Sequence, residues 1–435
     1  MNEGENMDIR WNEPKVLHLF CLFCGIPLMG KSYILIPFFV FLYLIWNRRN
    51  WLAANCRSAF RAVPEFRYLT FFLSGYGLFA LIGFFRMPGS LYTRTDGPLY
   101  AAIFAVLLIV GFVSGSWEEQ LPVREKAKIF SMWIQAWGWI IGIDVLLKRM
   151  KFPYLDLGIV NEINALSTLF LILAPLSLLS FFSKRGFLFR SFGFLSFCFF
   201  SWLLFFCTTS DVRYVYWLVN LLVVYFFHRS ESVRLVPVAL FFFLAALMAG
   251  YSDEIVAFLK SIDLFQAPFG EGKVPFFQKI LNTRDAIWQG SLRAFGEHYW
   301  WGVGPANFHE YVTPYLLPLK QYFQRVPHFW QAHNIFLHIF VVTGVWGGLC
   351  FLFSALVQVR IATRLLLDEK YWLLGIGIFI VTLTTYLYGL FEPVVYNDAL
   401  LAFIWGGLGY AVACLHKRKK TAELVLGNSG LLNNM

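Results

Sequence analysis

The sequence predicts an all-α polytopic integral membrane protein of about 12 transmembrane helices, with one large loop on a single side. Three observations predict it. Of 435 residues, 58% are hydrophobic and only 14% charged, with a mean hydropathy of +0.61. A membrane helix needs roughly 20 apolar residues, so about 250 apolar residues fill about 12 helices. One long interval, 251–331, is not membrane-like. A soluble globule, a disordered chain and a secreted disulfide scaffold are excluded by this composition. So is a nucleic-acid binder: the net charge of +10, from 36 Lys and Arg against 26 Asp and Glu, marks loop orientation in a polytopic chain.

Apolar runs fall at roughly 16–30, 33–46, 68–85, 98–115, 129–147, 161–182, 191–207, 212–227, 235–250, 333–356, 371–391 and 399–415, each near the length of a span. Residues 1–250 therefore carry helices one to nine, 251–331 the large loop, 332–415 helices ten to twelve, and 416–435 a tail. With the N-terminus inside, the inner segments hold 22 Lys and Arg, against 7 in the short outer segments and 7 more in the long loop. Short loops decide orientation, so both termini are expected in the cytoplasm. The first segment follows an acidic tail without a small-residue cleavage site and is not expected to be a cleaved signal peptide. The Cys21-Leu-Phe-Cys24 spacing resembles a redox motif, but it lies in an apolar run and reads as small buried side chains.

The long loop is too long for a simple connection, and its composition is not low in complexity, so it should be an ordered functional element. Its seven basic residues are balanced by seven acids, and Trp288, Trp300, Trp301 and Trp330 make it rich in aromatics. Segments of that kind lie along a membrane interface. The spans themselves carry almost no ionisable groups away from their ends, His338 being the main exception. Ion-coupled transporters need such groups near the midplane, so a site at the outer mouth is favoured over a conduction path.

Within the loop, Asn282-Thr283-Arg284-Asp285 reads as a helix start with Asn282 as cap. Arg284 lies one turn before Trp288 on the same face. A cation in a first turn opposes the helix dipole, a cost that is understandable if an anion binds there, since guanidinium and free N–H groups both suit phosphate. The alternative is a snorkelling or Asp-paired surface arginine. Arg213 repeats the arrangement after Thr208-Thr209-Ser210-Asp211, with an interfacial anchor as its alternative. His333, in Gln331-Ala332-His333-Asn334, closes the loop and opens a span. A neutral imidazole there suits a general base toward a hydroxyl, or a purely structural part. On a helical wheel His338 points about 140° away from it. Gly344 and Gly348 have the spacing of helix packing. Trp300-Trp301-Gly302-Val303-Gly304-Pro305 is a turn whose amides could face a phosphate, or a plain turn. Glu392 near the end of the penultimate span could pair with an arginine or cap a helix. No metal-ligand cluster, Walker loop or nucleophile elbow occurs, so no metal or other cofactor is expected.

Together these residues resemble the bacterial O-antigen ligase family, which includes related O-antigen and exopolysaccharide polymerases. His333-Asn334, nine residues, Gly344, two residues and Gly347 match that family's pattern at the start of the span after its large periplasmic loop. Members often end the pattern with two threonines, where this chain has Gly348-Leu349. Arg284-x3-Trp288 followed by Gly302-Val303-Gly304-Pro305 and Phe308 is similar to the loop signature, and Ser210-Asp211-Val212-Arg213 is a looser version of a Ser/Thr-Arg element. The resemblance covers roughly 155–410.

The resemblance implies a GT-C-like glycosyltransferase of the bacterial inner membrane, its active site facing the periplasm. The donor it implies is a glycan on undecaprenyl pyrophosphate and the acceptor a lipid A–core sugar hydroxyl; membrane lipids surround it, and nucleic acid is no partner. By the same resemblance Arg213, Arg284 and His333 are the catalytic residues, and Asn334, Trp288, Gly302, Gly304 and Glu392 bind substrate. A repeat-unit polymerase is the nearest alternative, and a solute transporter or a non-enzymatic scaffold the alternatives from other classes.

Overall fold

The computed structural model describes residues 13–26, 39, 42–43, 45–86, 96–117, 121–151, 163–181, 186–208, 213–227, 284–305, 307–316, 331–390 and 398–432. Among these every regular element is helical. In chain order they are α1 (Glu13–Gly25), α2 (Arg49–Ala62), α3 (Pro64–Arg86), α4 (Asp96–Ser116), α5 (Val123–Arg149), α6 (Ile163–Phe181), α7 (Phe187–Cys207), α8 (Arg213–Phe227), α9 (Arg284–Glu297), α10 (Phe308–Leu316), α11 (Ile335–Leu366) and α12 (Trp372–Tyr388). Then α13 (Asp398–Leu401) runs through a π-helical turn, Ala402–Gly406, into α14 (Gly407–Leu432).

Six of these helices are long and apolar enough to cross a membrane: Pro64–Arg86, Pro98–Ser116, Glu125–Arg149, Asn164–Phe181, Phe187–Cys207 and Ile335–Leu366. Two shorter apolar helices, Tyr216–Phe226 and Trp372–Tyr388, accompany them. The protein is a multi-pass membrane protein. Of the expected run at 16–30, the described part lies in α1, 13 residues long, and 27–30 lie outside the described residues. The expected spans at 33–46 and 235–250 lie largely or wholly outside the described residues.

The two ends of the helix array differ in chemistry. At one end Glu65, at the start of α3, takes Arg360 at 2.9 Å and Arg364 at 2.6 Å from the end of α11. Nearby elements close the same end: Glu13 pairs with Lys126, Arg418 pairs with Asp368, and Lys417 Nζ donates to the Trp117 carbonyl. The opposite end holds the finish of α12, the starts of α8 and α11, and the α9–α10 hairpin.

Small residues bring the inner helices together. A Cβ on Gly111 of α4 would collide with Gly406 O, and one on Gly409 of α14 with Leu108 O. Gly111 and Gly115 thus form a small-xxx-small seam against Gly409 and Ala413. Trp405 stacks on Phe104 at 4.4 Å beside this seam, both fully buried.

Across the array, Pro175 lies inside α6, where it has no N–H to give the carbonyl four residues back. That carbonyl, Leu171 O, accepts instead from Asn220 Nδ2 of α8 at 2.9 Å. The same amide also donates to Thr384 Oγ1 of α12 at 2.8 Å. One polar side chain, buried to 1% exposure, thereby joins three helices.

Candidate active site

The α9–α10 hairpin has an apolar core of its own. Ile287, Ala294, Val303, Phe308 and Val312 pack with Ala332, Val341 and Val342, all nearly inaccessible. Burying that stripe fixes which face of α9 looks toward α11. Trp288 sits on that side, half-buried, and its Nε1–H donates to the Ala332 carbonyl at 2.9 Å. Arg284 is the first residue of α9 and, four residues earlier, lies over the same face. Asn282 and Thr283, the expected cap, lie outside the described residues.

Deeper along α11 the hairpin is joined backbone to backbone. At Gly344 the helix breaks, with φ 71° and ψ −174°. In an unbroken helix the Val341 and Val342 carbonyls would take the amides of residues 345 and 346. Here Val303 N–H donates to Val341 O at 2.9 Å, Gly304 N–H to Val342 O at 3.0 Å, and Val345 N–H to Tyr299 O at 2.7 Å. The expected turn with amides facing a phosphate differs from this geometry. The amides of Gly302, Val303 and Gly304 already have carbonyl partners, Gly302 N–H donating to His298 O at 2.7 Å. What the two glycines contribute is backbone shape, with φ of 71° and 86°. Nor is Gly344 a packing position of a continuous helix. Gly347 is the nearer fit to that expectation, since a Cβ there would lie 3.1 Å from Phe79 of α3.

His333 precedes the helix rather than opening it. It has φ 49°, a left-handed setting that costs a side-chain-bearing residue on the order of 1–2 kcal/mol. The helix begins at Ile335, capped by Asn334, whose Oδ1 accepts from Leu337 N–H at 3.0 Å. Ile335 N–H in turn donates to Gly389 O at the end of α12, at 2.7 Å. Because His333 lies off the helix, the wheel angle to His338 does not apply. His338 is buried, its ring 5.0 Å from that of Phe308.

The same mouth receives α8. Arg213 is its first residue; its backbone is described and its side chain lies outside the description. One turn on, Tyr216 OH donates to the Leu387 carbonyl at 2.8 Å and its ring meets Tyr388 edge-on at 5.7 Å. Leu387 is two residues from Gly389, so the start of α8 and the His333–Ile335 segment adjoin the same end of α12. Tyr388 OH also reaches Asn164 Oδ1, at the start of α6, at 3.5 Å. Glu392 lies outside the described residues. Tyr216, Tyr388, Asn220 and Gly389 were not singled out by sequence; a polar Asn220 within an apolar run was the one signal available.

Residues 196–352 match the family model described as O-antigen ligase. Through this stretch the chain is similar to the O-antigen ligase family. No curated protein matches the chain. The matched stretch runs from α7 into α11. It contains Arg213, Arg284, Trp288, Gly302, Gly304, His333, Asn334 and the break at Gly344, whereas α3 and α12, which help complete the mouth, lie beyond it. An O-antigen ligase or polymerase type of activity goes with that family.

The hairpin is further clasped at its far side. Tyr315 OH of α10 donates to Glu297 Oε1, the last residue of α9, at 2.5 Å. That hydrogen bond, more than burial or charge, raises the phenol above its ordinary value. Exposed aromatics ring the docked loop: Trp300 stacks on Trp346 at 5.8 Å, and the Arg86 guanidinium sits over Trp301 at 5.2 Å. Tryptophans in such positions suit the boundary between lipid tails and water.

Proposed function

We propose that the protein is an O-antigen ligase of the inner membrane, with the mouth at the α9–α10 hairpin facing the periplasm and the arginine-rich end in the cytoplasm. The lysine and arginine count of the short loops supports that orientation. The donor is a glycan on undecaprenyl pyrophosphate and the acceptor a lipid A–core sugar hydroxyl. The acceptor oxygen attacks the anomeric carbon, the new C–O bond forms as the bond to the pyrophosphate oxygen breaks, and configuration inverts. Arg284 and Arg213 bind the departing pyrophosphate and stabilise its charge. His333 takes the hydroxyl proton. Asn334, Trp288, Gly302 and Gly304 serve the donor site by holding the framework around these groups, and Glu392 belongs to the same mouth.

The observation carrying this reading is the Trp288–Ala332 hydrogen bond. It ties the helix that begins with Arg284 to the residue before His333, which supports assigning both elements to one site. The test is purified protein with lipid-linked glycan donor and lipid A–core acceptor, without nucleotide or added metal. Glycan on lipid A–core is the expected product. Repeat units joined on the lipid carrier instead would make the protein a polymerase, and neither product would return it to the transporter or scaffold readings.

A further inference from the structure

His333 is held in its left-handed setting from three sides. The carbonyl before it accepts from Trp288 Nε1 at 2.9 Å. The residue after it caps α11, accepting from Leu337 N–H at 3.0 Å. The next amide donates to Gly389 O at 2.7 Å. Asn334 caps α11 from the helix's own start, and Gly389 takes the Ile335 amide from the end of α12. Trp288 reaches the peptide before His333 from a further element, the helix that begins with Arg284. Strained backbone persists only where its surroundings hold it, and such sites cluster where a side chain must be aimed.

We propose that the Trp288 indole N–H is a positioning group for His333. By gripping the Ala332 carbonyl it holds the peptide before His333 against the helix that begins with Arg284 and so sets the direction of the imidazole. This rests on the glycosyl-transfer reading above. It assigns Trp288 an action through His333 rather than contact with the glycan, and it explains why an indole is needed: the ring fills the hairpin face while its one donor reaches out.

Trp288→Phe keeps an aromatic ring and removes the donor; Trp288→His returns an N–H at similar reach. The expected result is about a tenfold fall in kcat for Trp288→Phe with the donor KM unchanged, and partial recovery in Trp288→His. In a His333→Ala background Trp288→Phe should cost nothing further, because the two act as one unit. A readout independent of transfer is the imidazole nitrogen resonance of His333, assigned by its loss in His333→Ala. Trp288→Phe should move it while leaving those of His18 and His416 in place. A raised KM with unchanged kcat, a full additional loss in the His333→Ala background, or an unmoved His333 resonance would overturn the proposal. If the wild-type protein transfers nothing but the resonance moves, the glycosyl-transfer reading fails and the contact between Trp288 and His333 stands as structure alone. Should neither Trp288 variant fold, the wild-type protein carries the test: the Trp288 indole N–H should exchange slowly with solvent, as a made hydrogen bond requires, and exchange at the rate of a free indole would overturn the proposal.

Discussion

Gly302 and Gly344 lie face to face, each excluding a side chain on the other's element. A Cβ on Gly302 would stand 2.5 Å from the Gly344 nitrogen, and one on Gly344 would collide with the Trp300 carbonyl. Both have φ of 71°, a region that favours glycine. The contact lets a loop pair its backbone with the open carbonyls of a broken helix. In a membrane every such group must find a partner, so the break in α11 and the docked loop require each other.

Gly344→Ala should therefore undock the hairpin. The substitution adds a left-handed penalty of about 1–2 kcal/mol and jeopardises three inter-element hydrogen bonds, each worth roughly 1 kcal/mol net. A total of about 4–5 kcal/mol follows, reduced to the extent that α11 re-forms its own ladder. The expected outcome is a lowered melting temperature and new protease cleavage near residues 298–306. Wild-type protease resistance in Gly344→Ala would show that the loop tolerates a continuous helix.

Arg284→Ala and His333→Ala should separate binding from chemistry. Removing a group that stabilises developing charge costs about 10²–10³-fold in rate, and removing a general base about 10²–10⁴-fold. Arg284→Ala should also weaken retention of the lipid pyrophosphate, whereas His333→Ala should not. The fold should survive both, because Arg284 is only partly buried at a helix start and His333 lies ahead of the α11 cap. Transfer assays beside donor-binding measurements on the same preparations check this. Unimpaired transfer by either variant removes that residue from the mechanism.

Much of the fold was legible because a bilayer-spanning helix announces itself by length and apolarity alone. The start of a helix at Arg284, with Trp288 on the same face, was legible for a related reason: helical spacing is local. What stayed hidden was long-range backbone pairing. Gly344 and Gly348 have the spacing of a packing seam, and nothing within α11 says that the ladder opens at Gly344, because the groups that fill it come from Tyr299, Val303 and Gly304. The wheel angle between His333 and His338 failed similarly, since it assumed a helix that begins two residues later. The seam of Gly111 and Gly115 against Gly409 and Ala413 was not singled out by sequence, because its two halves lie about 300 residues apart.

Asn220 offers a test of one such hidden pairing. Asn220→Leu removes both donors of its amide and leaves Leu171 O, beneath Pro175, without the partner shown in the fold. An unsatisfied buried acceptor costs about 1–3 kcal/mol. Pro175→Ala restores a backbone N–H that can reach Leu171 O, so the double variant should recover a large part of the loss. Thermal unfolding in detergent reads all three proteins. A double variant no more stable than Asn220→Leu would mean that the bond to Thr384, not the one to Leu171, carries the stabilisation.

Glu65 at the opposite end should behave asymmetrically with its two arginines. Its side chain is 1% exposed, whereas those of Arg360 and Arg364 are 71% and 42% exposed. Taking away the carboxylate frees two guanidiniums that water can solvate where they stand, so Glu65→Gln should cost only about 1 kcal/mol after solvent screening is allowed for. Taking away both arginines leaves a carboxylate buried among α3 and α11 without these counter-charges, and removal of a partner from a buried charge costs about 3–5 kcal/mol. Arg360→Gln alone should matter least, because that guanidinium is the more solvated and Arg364 remains at 2.6 Å. The two arginine substitutions should accordingly be more than additive, each being tolerable while the other neutralises the same carboxylate. Melting temperatures of the three single variants and the arginine double check the ordering, and strict additivity would show that Glu65 finds water once either arginine is gone.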